Sequence, residues 1–355
     1  MTKEFDLLVF VGRFSPFHLG HKRVIDIALE KSKNVLVLIG SAGKARTVRN
    51  PFTYSERFNM IFYAQKPEDQ NRVIIEPLYD MTYNDTAWVK QVQTVTTKVA
   101  LRIANNGGFA LNGTNNVKIG LIGASKDHTS YYLKLFPQWG SVDVDVHNEL
   151  HATAIRENYL SGNFEKWQIQ DTLIPENVAN FLFGTFDKTV DYQNLRYELE
   201  FVKDYKKKWE SAPYPVKHVT VDAVVEQSGH ILLVRRRAFP GKGLWALPGG
   251  HLNEYERIID GMIRELREET GIKVPEAVLR GSIVNEKVFD DPHRSNIGRV
   301  ITHGFHIKLP DNVTLPKVKG SDDADKAKFV PIGDLREDML FDDHYHIMQN
   351  FLSIY

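Results

Sequence analysis

The chain has no cysteine among its 355 residues. That excludes disulfides, thiolate nucleophiles and cysteine-ligated zinc together. Net charge is also absent, because Lys+Arg and Asp+Glu number 45 each. No global field draws a polyanion, so nucleic acid is not an expected partner and any anion site must be local. No apolar run reaches membrane-spanning length, and the first residues lack the apolar core of a signal peptide. The expectation is a cytoplasmic protein with no membrane partner. The sequence leaves the oligomeric state open, a homo-oligomer included. Hydrophobic residues at 42% and charged ones at 25% suit a globular chain, and 355 residues exceed what one core usually holds.

The pattern divides the chain. In the N-terminal half, apolar runs at Leu7–Gly12, Val35–Gly40, Val73–Leu78 and Lys118–Gly123 read as buried parallel strands. Amphipathic stretches near 19–33, 53–66 and 86–105 separate them. This alternation predicts an α/β, Rossmann-like doubly wound sheet, with ligands beyond the carboxyl ends of the strands. Residues 105–116 form a Gly/Asn-rich loop with no legible chemistry. Residues 153–184 read as helical and close a domain over 1–185. A charged, aromatic-studded helix at 191–211 leads to two prolines, so 186–215 reads as a helical linker. Its lysine run reads as a solvated face. From 216 to 355 the pattern is α+β. Val219–Glu226 and His230–Arg236 form a hairpin through Ser228-Gly229, and further strands are expected over 278–289 and 299–309.

Gly250–Ile272 is the most informative stretch. It carries Glu254, Glu256, Glu265, Glu268 and Glu269 around a short helical pattern. At about 100° per residue, Glu265, Glu268 and Glu269 share one face within one turn. Like charges so close repel, so a merely solvated helix would lose stability by them. A hard divalent cation reverses that sign and is usually shared with substrate phosphates.

The same residues match every fixed position of the Nudix hydrolase signature: Gly250, Glu256, Arg264, Glu265, Leu266, Glu268, Glu269, Gly271 and Ile272. The resemblance implies that Glu265, Glu268, Glu269 and the Gly250 carbonyl hold Mg²⁺ or Mn²⁺, with Glu265 and Glu268 catalytic. Glu256 would lie about 180° away on a continuous helix. It either reaches the site from a preceding loop or plays a structural part with Arg264.

Gly12–His21, GRFSPFHLGH, follows a strand and opens a helix. His18 and His21 lie three apart near a helix N-terminus, where free N–H groups and the dipole favour phosphate. Two imidazoles there can hydrogen-bond a triphosphate and stabilise charge developing on its α-phosphoryl group.

That stretch resembles the H-x-G-H motif of the nucleotidylyltransferase superfamily. Gly40–Gly43, Arg49–Thr53, Glu56-Arg57 and Asp85–Val89 narrow the resemblance to archaeal-type nicotinamide mononucleotide adenylyltransferases. His151–Arg156 matches their later I-S-x-T-x-x-R element, with Ala152 and His151 departing from it. The resemblance implies catalytic roles for His18, His21 and Arg156. It implies binding of ATP and nicotinamide mononucleotide (NMN) by Gly12, Arg13, Phe14, Thr153, Arg49, Arg57, Asp85 and Trp88. A Trp at helical spacing is as readily core as ligand contact.

With both motifs in this order, the chain resembles the bacterial bifunctional NMN adenylyltransferase/Nudix hydrolases. The implied reactions are NAD and pyrophosphate formation from ATP and NMN, and metal-dependent cleavage of ADP-ribose to AMP and ribose 5-phosphate. Arg235, Phe289, Arg294 and Arg299 are then expected at ADP-ribose, beside Ser321–Ala324, an acidic loop. Of Arg235, Arg236 and Arg237, strand alternation allows at most two to face the substrate. NADH, dinucleoside polyphosphates and oxidised dNTPs stay open as hydrolase substrates. So does a sensor role for the second domain, although sensors often lose the glutamates kept here. Cytidylyl or pantetheine-phosphate transfer fits the Arg49–Arg57 and Asp85–Trp88 segments less well.

Overall fold

Phe5–Gly12 (β1) is apolar almost throughout because both its faces are covered. In the computed structural model, which describes residues 3–106, 117–123, 135–144, 150–312, 314–320 and 324–354, it is the middle strand of a five-stranded sheet. The chain divides into two compact units, residues 1–81 with 85–196, and residues 82–84 with 197–355. The division falls inside one helix.

In the first unit, β1 is followed by α1 (Leu19–Lys31), β2 (Ser32–Ile39), α2 (Tyr54–Phe62), α3 (Pro67–Gln70) and β3 (Val73–Pro77). Then come α4 (Asp85–Asn106), β4 (Ile119–Gly123), β5 (Gly140–Asp143), α5 (Ala152–Leu160), α6 (Lys166–Ile169), α7 (Glu176–Gly184) and the dividing helix α8 (Val190–Lys207). All strands are parallel in the order β3-β2-β1-β4-β5. The order reverses between β1 and β4, which puts a crevice at the carboxyl end of β1, where the histidine motif begins. The stretch read as helical over 153–184 is three helices. Gly162, at φ 73°, follows the first, and Asp171, at φ 58°, with Pro175, the N-cap of α7, separates the second from the third. The Gly/Asn-rich residues 107–116 lie outside the described residues.

The second unit continues with β6 (Lys217–Gln227), β7 (His230–Arg236), β8 (Trp245–Ala246), β9 (Gly249–His251) and α9 (Ile258–Thr270). It ends with α10 (Glu276–Gly281), β10 (Ile283–Phe289), β11 (Arg299–Lys308), β12 (Ala324–Pro331) and α11 (His344–Leu352). The mixed sheet runs β10-β11-β6-β7-β12, with β9 on β6 and β8 on β7. Ser228 and Gly229, at φ 47° and 71°, make the tight turn between β6 and β7. Residues 278–281, expected as strand, are helix instead.

Helix α9 buries Met262, Ile263 and Leu266 in the core cluster that holds Val221, Leu232 and Phe305. It ends at Gly271, whose φ of 54° is the left-handed cap conformation that glycine adopts without strain. No helix among the described residues is long and apolar enough to cross a membrane.

Candidate functional site

In the first unit, His18 is the N-cap of α1. Its Nδ1 accepts from the His21 N–H at 3.3 Å, and the His18 N–H donates to His21 Nδ1 at 3.4 Å. The rings stack with centroids 3.6 Å apart. Each Nδ1 is an acceptor, so in the neutral imidazole each Nε2 carries the proton. Burial holds His18 down at about 4, helped by His151, and burial with His18 beside it holds His21 well below 6.5. Both rings are therefore neutral N–H donors near neutral pH.

Three guanidiniums converge nearby. Arg156 is buried, donates to the Ser15 carbonyl at 2.7 Å and reaches Thr153 Oγ1 at 3.3 Å. Burial lowers its pKa to about 10, and Arg13 and then Arg49 add like-charge repulsion. Its Nε and the Ser15 hydroxyl are buried without a partner. A cradle of neutral N–H donors and crowded cations suits a polyphosphate. Phe14 is buried, with its ring against Gly12, where any Cβ would lie 2.8 Å from it.

Arg57 corrects an expectation. It is fully buried, and its donors go to the carbonyls of Arg13, Gly40, Ser41 and Thr53 at 2.7–3.3 Å. It clips loops together. Trp88 packs its ring 6.3 Å from Phe136 at the margin of the sheet core, and Asp85 is exposed at the start of α4.

In the second unit, a cavity of about 480 Å³ is lined by Gly249, Gly250, Glu265, Glu269, Asp222, Arg235, Arg236, Arg237 and Arg294, among others. Gly250 lets the Glu265 carboxylate approach the backbone, since a Cβ there would lie 2.6 Å from it. Glu269 accepts from the Gly249 N–H at 3.0 Å. Burial raises its pKa to about 8, and Glu265 adds repulsion. Glu268 does not line the cavity. Arg264 Nη1 donates to Glu265 at 2.8 Å and to Glu268 at 3.0 Å. Glu256 sits in the loop before α9 and pairs with Arg264, so the structural alternative is the one adopted.

These donors fit a hard divalent cation by chemistry: carboxylate oxygens, the Gly250 carbonyl, and a buried carboxyl that the guanidinium of Arg236 offsets only in part. Among the described residues, no three His, Asp or Glu side chains already surround one point. Arg264 holds Glu265 and Glu268 instead.

All three arginines of 235–237 border the cavity, more than alternation allowed. Strand β7 ends at Arg236, so Arg237 is free of its pleat. Phe289 is a correction. It is fully buried against Phe351 in the core and does not line the cavity. Arg294 lines the cavity, but Asp343 takes its Nε and Nη2, each at 2.9 Å. Arg299 donates to the Asp290 carbonyl and does not line the cavity. Ser321–Asp323 lie outside the described residues. Sequence reading missed Asp222 and His344. The signal for Asp222 was an acid inside the apolar run of β6, where it accepts from Thr302 Oγ1 at 2.6 Å. His344 accepts from the Leu247 N–H at 2.8 Å, and nothing local marked it.

Residues 9–105 match the Cytidylyltransferase-like family model and residues 216–351 the NUDIX domain model. A solved bifunctional NMN adenylyltransferase/ADP ribose pyrophosphatase from Francisella tularensis, complexed with AMP and a manganese ion, is 36% identical. The match covers 98% of this chain and 99% of that one, at a TM-score of 0.88. The chain belongs to this bifunctional adenylyltransferase–Nudix family. The first unit of this family member is also 38% identical over 194 residues to the nicotinamide/nicotinic acid mononucleotide adenylyltransferase of Acinetobacter baylyi, covering 54% of this chain and 93% of that one. The Archaeoglobus fulgidus nicotinamide-nucleotide adenylyltransferase is 30% identical, with 49% of this chain and 88% of that one covered.

Proposed function

We propose that the chain is a two-headed enzyme of NAD metabolism. The first unit transfers AMP from ATP to NMN, giving NAD⁺ and pyrophosphate. The second hydrolyses ADP-ribose to AMP and ribose 5-phosphate. The observation that carries the reading is the likeness, over nearly the whole of both chains, to a bifunctional NMN adenylyltransferase/ADP ribose pyrophosphatase. Both motif regions also retain donor sets that suit phosphate chemistry.

In the first unit, the 5′-phosphate oxygen of NMN attacks the α-phosphorus of ATP, and the bond to the pyrophosphate oxygen breaks. His18 and His21 present Nε2–H donors to the phosphoryl oxygens. Arg156, Arg13 and Arg49 offset the charge on the leaving pyrophosphate, and Thr153 orients Arg156. The attacking phosphate is already ionised, so no enzymic base is required.

In the second unit, Glu265, Glu269 and the Gly250 carbonyl, joined by Glu268, would hold the divalent ion, Mg²⁺ being the expected one. When bound, it supplies an activated water and polarises the pyrophosphate. The chain's own part is to orient. Arg235 and Arg236, which line the cavity at the end of β7, would meet the phosphates, and one site carboxylate accepts the water proton as the P–O bond breaks.

Two assays test this. ATP, NMN and Mg²⁺ should give NAD⁺ with wild-type protein and none with His18→Ala, which keeps hydrolysis. A panel of ADP-ribose, NADH and dinucleoside polyphosphates should show ADP-ribose preferred. Preference for another member reassigns the second unit.

A further inference from the structure

Helix α8 read as a linker in the sequence. From Tyr197 onward it belongs to the second unit, and Phe201 and Tyr205 line that unit's cavity. We propose that these two rings form the wall on which the base of the bound nucleotide stacks, and so favour purine nucleotides. This rests on reading the cavity as the pyrophosphatase site.

The rings are held in place. Their centroids lie 6.3 Å apart with planes inclined by 30°. The buried Glu198 carboxylate accepts from the Gly241 N–H at 3.1 Å, and Val202 between the rings is buried. One turn on, Tyr205 and Trp209 both pack on His218, at 5.6 and 5.4 Å. A fixed helix thus presents aromatic rings at fixed spacing.

The rest of the cavity explains why rings are required. Its glutamates and arginines suit a pyrophosphate and a cation. Phe239 and Phe341 also line it, but the Lys242 ammonium lies 5.8 Å from the Phe239 ring and the Arg236 guanidinium covers the Phe341 ring at 4.1 Å. Phe201 keeps 37% of its surface exposed. Stacking on such a surface tolerates every base and gains most from the larger purines.

Full-length protein is assayed with a divalent cation on ADP-ribose, on CDP-ribose and on a base-free diester, di(ribose-5) diphosphate. Phe201→Ala and Tyr205→Ala should each raise KM for ADP-ribose about tenfold, with kcat within about twofold. KM for the base-free diester should not move, and Tyr205→Phe should restore wild-type behaviour. Wild type should prefer ADP-ribose to CDP-ribose, and Phe201→Ala should narrow that preference. Phe201 is exposed enough that its variant keeps the fold, which thermal unfolding checks. An unchanged KM for ADP-ribose, or an equal rise for both ADP-ribose and the base-free diester, overturns the proposal. A wild type that cleaves no nucleoside diphosphate derivative overturns the pyrophosphatase reading and this wall with it.

Discussion

Glu256 grips Arg264 along one edge of the guanidinium. Oε1 accepts from Nε at 2.9 Å and Oε2 from Nη2 at 2.8 Å. The remaining nitrogen of Arg264 holds Glu265 and Glu268. A carboxylate outside the helix therefore sets two carboxylates on it. Glu256→Gln should lower kcat for ADP-ribose hydrolysis about 10- to 100-fold, as loss of an outer partner does. NAD⁺ formation should be unchanged. An unaltered hydrolysis rate would refute the positioning role.

Adjacent glycines should fail differently. A Cβ at Gly249 meets the Val221 carbonyl at 2.1 Å, and backbone cannot yield. One at Gly250 meets only the end of the Glu265 side chain, at 2.6 Å. Gly249→Ala should lower the melting temperature, whereas Gly250→Ala should melt normally and lose hydrolysis. Thermal unfolding beside an ADP-ribose assay separates them.

Glu269 links stability to pH and metal. Burial raises its pKa from 4.5 to about 8, so between those values the folded carboxyl keeps a proton that the unfolded one has lost. Its contribution is fully present below about 4.5 and is lost as pH rises through about 8. In chelator, the second unit should lose stability over that window. A divalent cation favours the ionised form, so it should raise the melting temperature more at about pH 8 than at about pH 6. Equal gains at both would count against metal binding by Glu269.

His18 behaves oppositely. Its folded pKa of about 4 lies below the ordinary 6.5, so the unfolded chain protonates first on acidification. The first unit should lose stability as pH falls from 6.5 towards about 4. His18→Asn keeps a good N-cap acceptor and should blunt that loss while cutting NAD⁺ formation by roughly 100-fold or more. Retained synthesis would remove His18 from the reaction.

Arg57→Lys should cost at least about 2 kcal/mol in urea unfolding, because one ammonium cannot serve four buried carbonyls. A role confined to ligand binding would leave the midpoint unmoved.

The two motif regions were legible because their chemistry is local. Helical periodicity puts Glu265 and Glu269 on one face, and a strand ending in Gly12 puts His18 at a helix start. Four of the five parallel strands were legible as continuous apolar runs, while Gly140–Asp143, an edge strand, is largely exposed. What sequence could not tell was where a side chain's donors are spent. Arg57 lies in a motif and faces inward to carbonyls. Phe289 ends a strand and turns into the core, since Gly304 on the facing strand leaves room for its ring. Phe201 and Tyr205 stood out only as aromatics on a charged helix, because the contacts of Glu198 with Gly241 and of Tyr205 with His218 decide what that helix faces.

The bond from Gly241 to Glu198 bears on how the hydrolase can be dissected. A fragment starting at residue 216, where the NUDIX match begins, would keep the whole glutamate signature. It would leave behind Glu198, Phe201 and Tyr205, opening one side of the cavity and stranding the Gly241 N–H. Such a fragment should hydrolyse poorly however well it folds. The compact second unit begins within α8, some twenty residues upstream of where the NUDIX match starts.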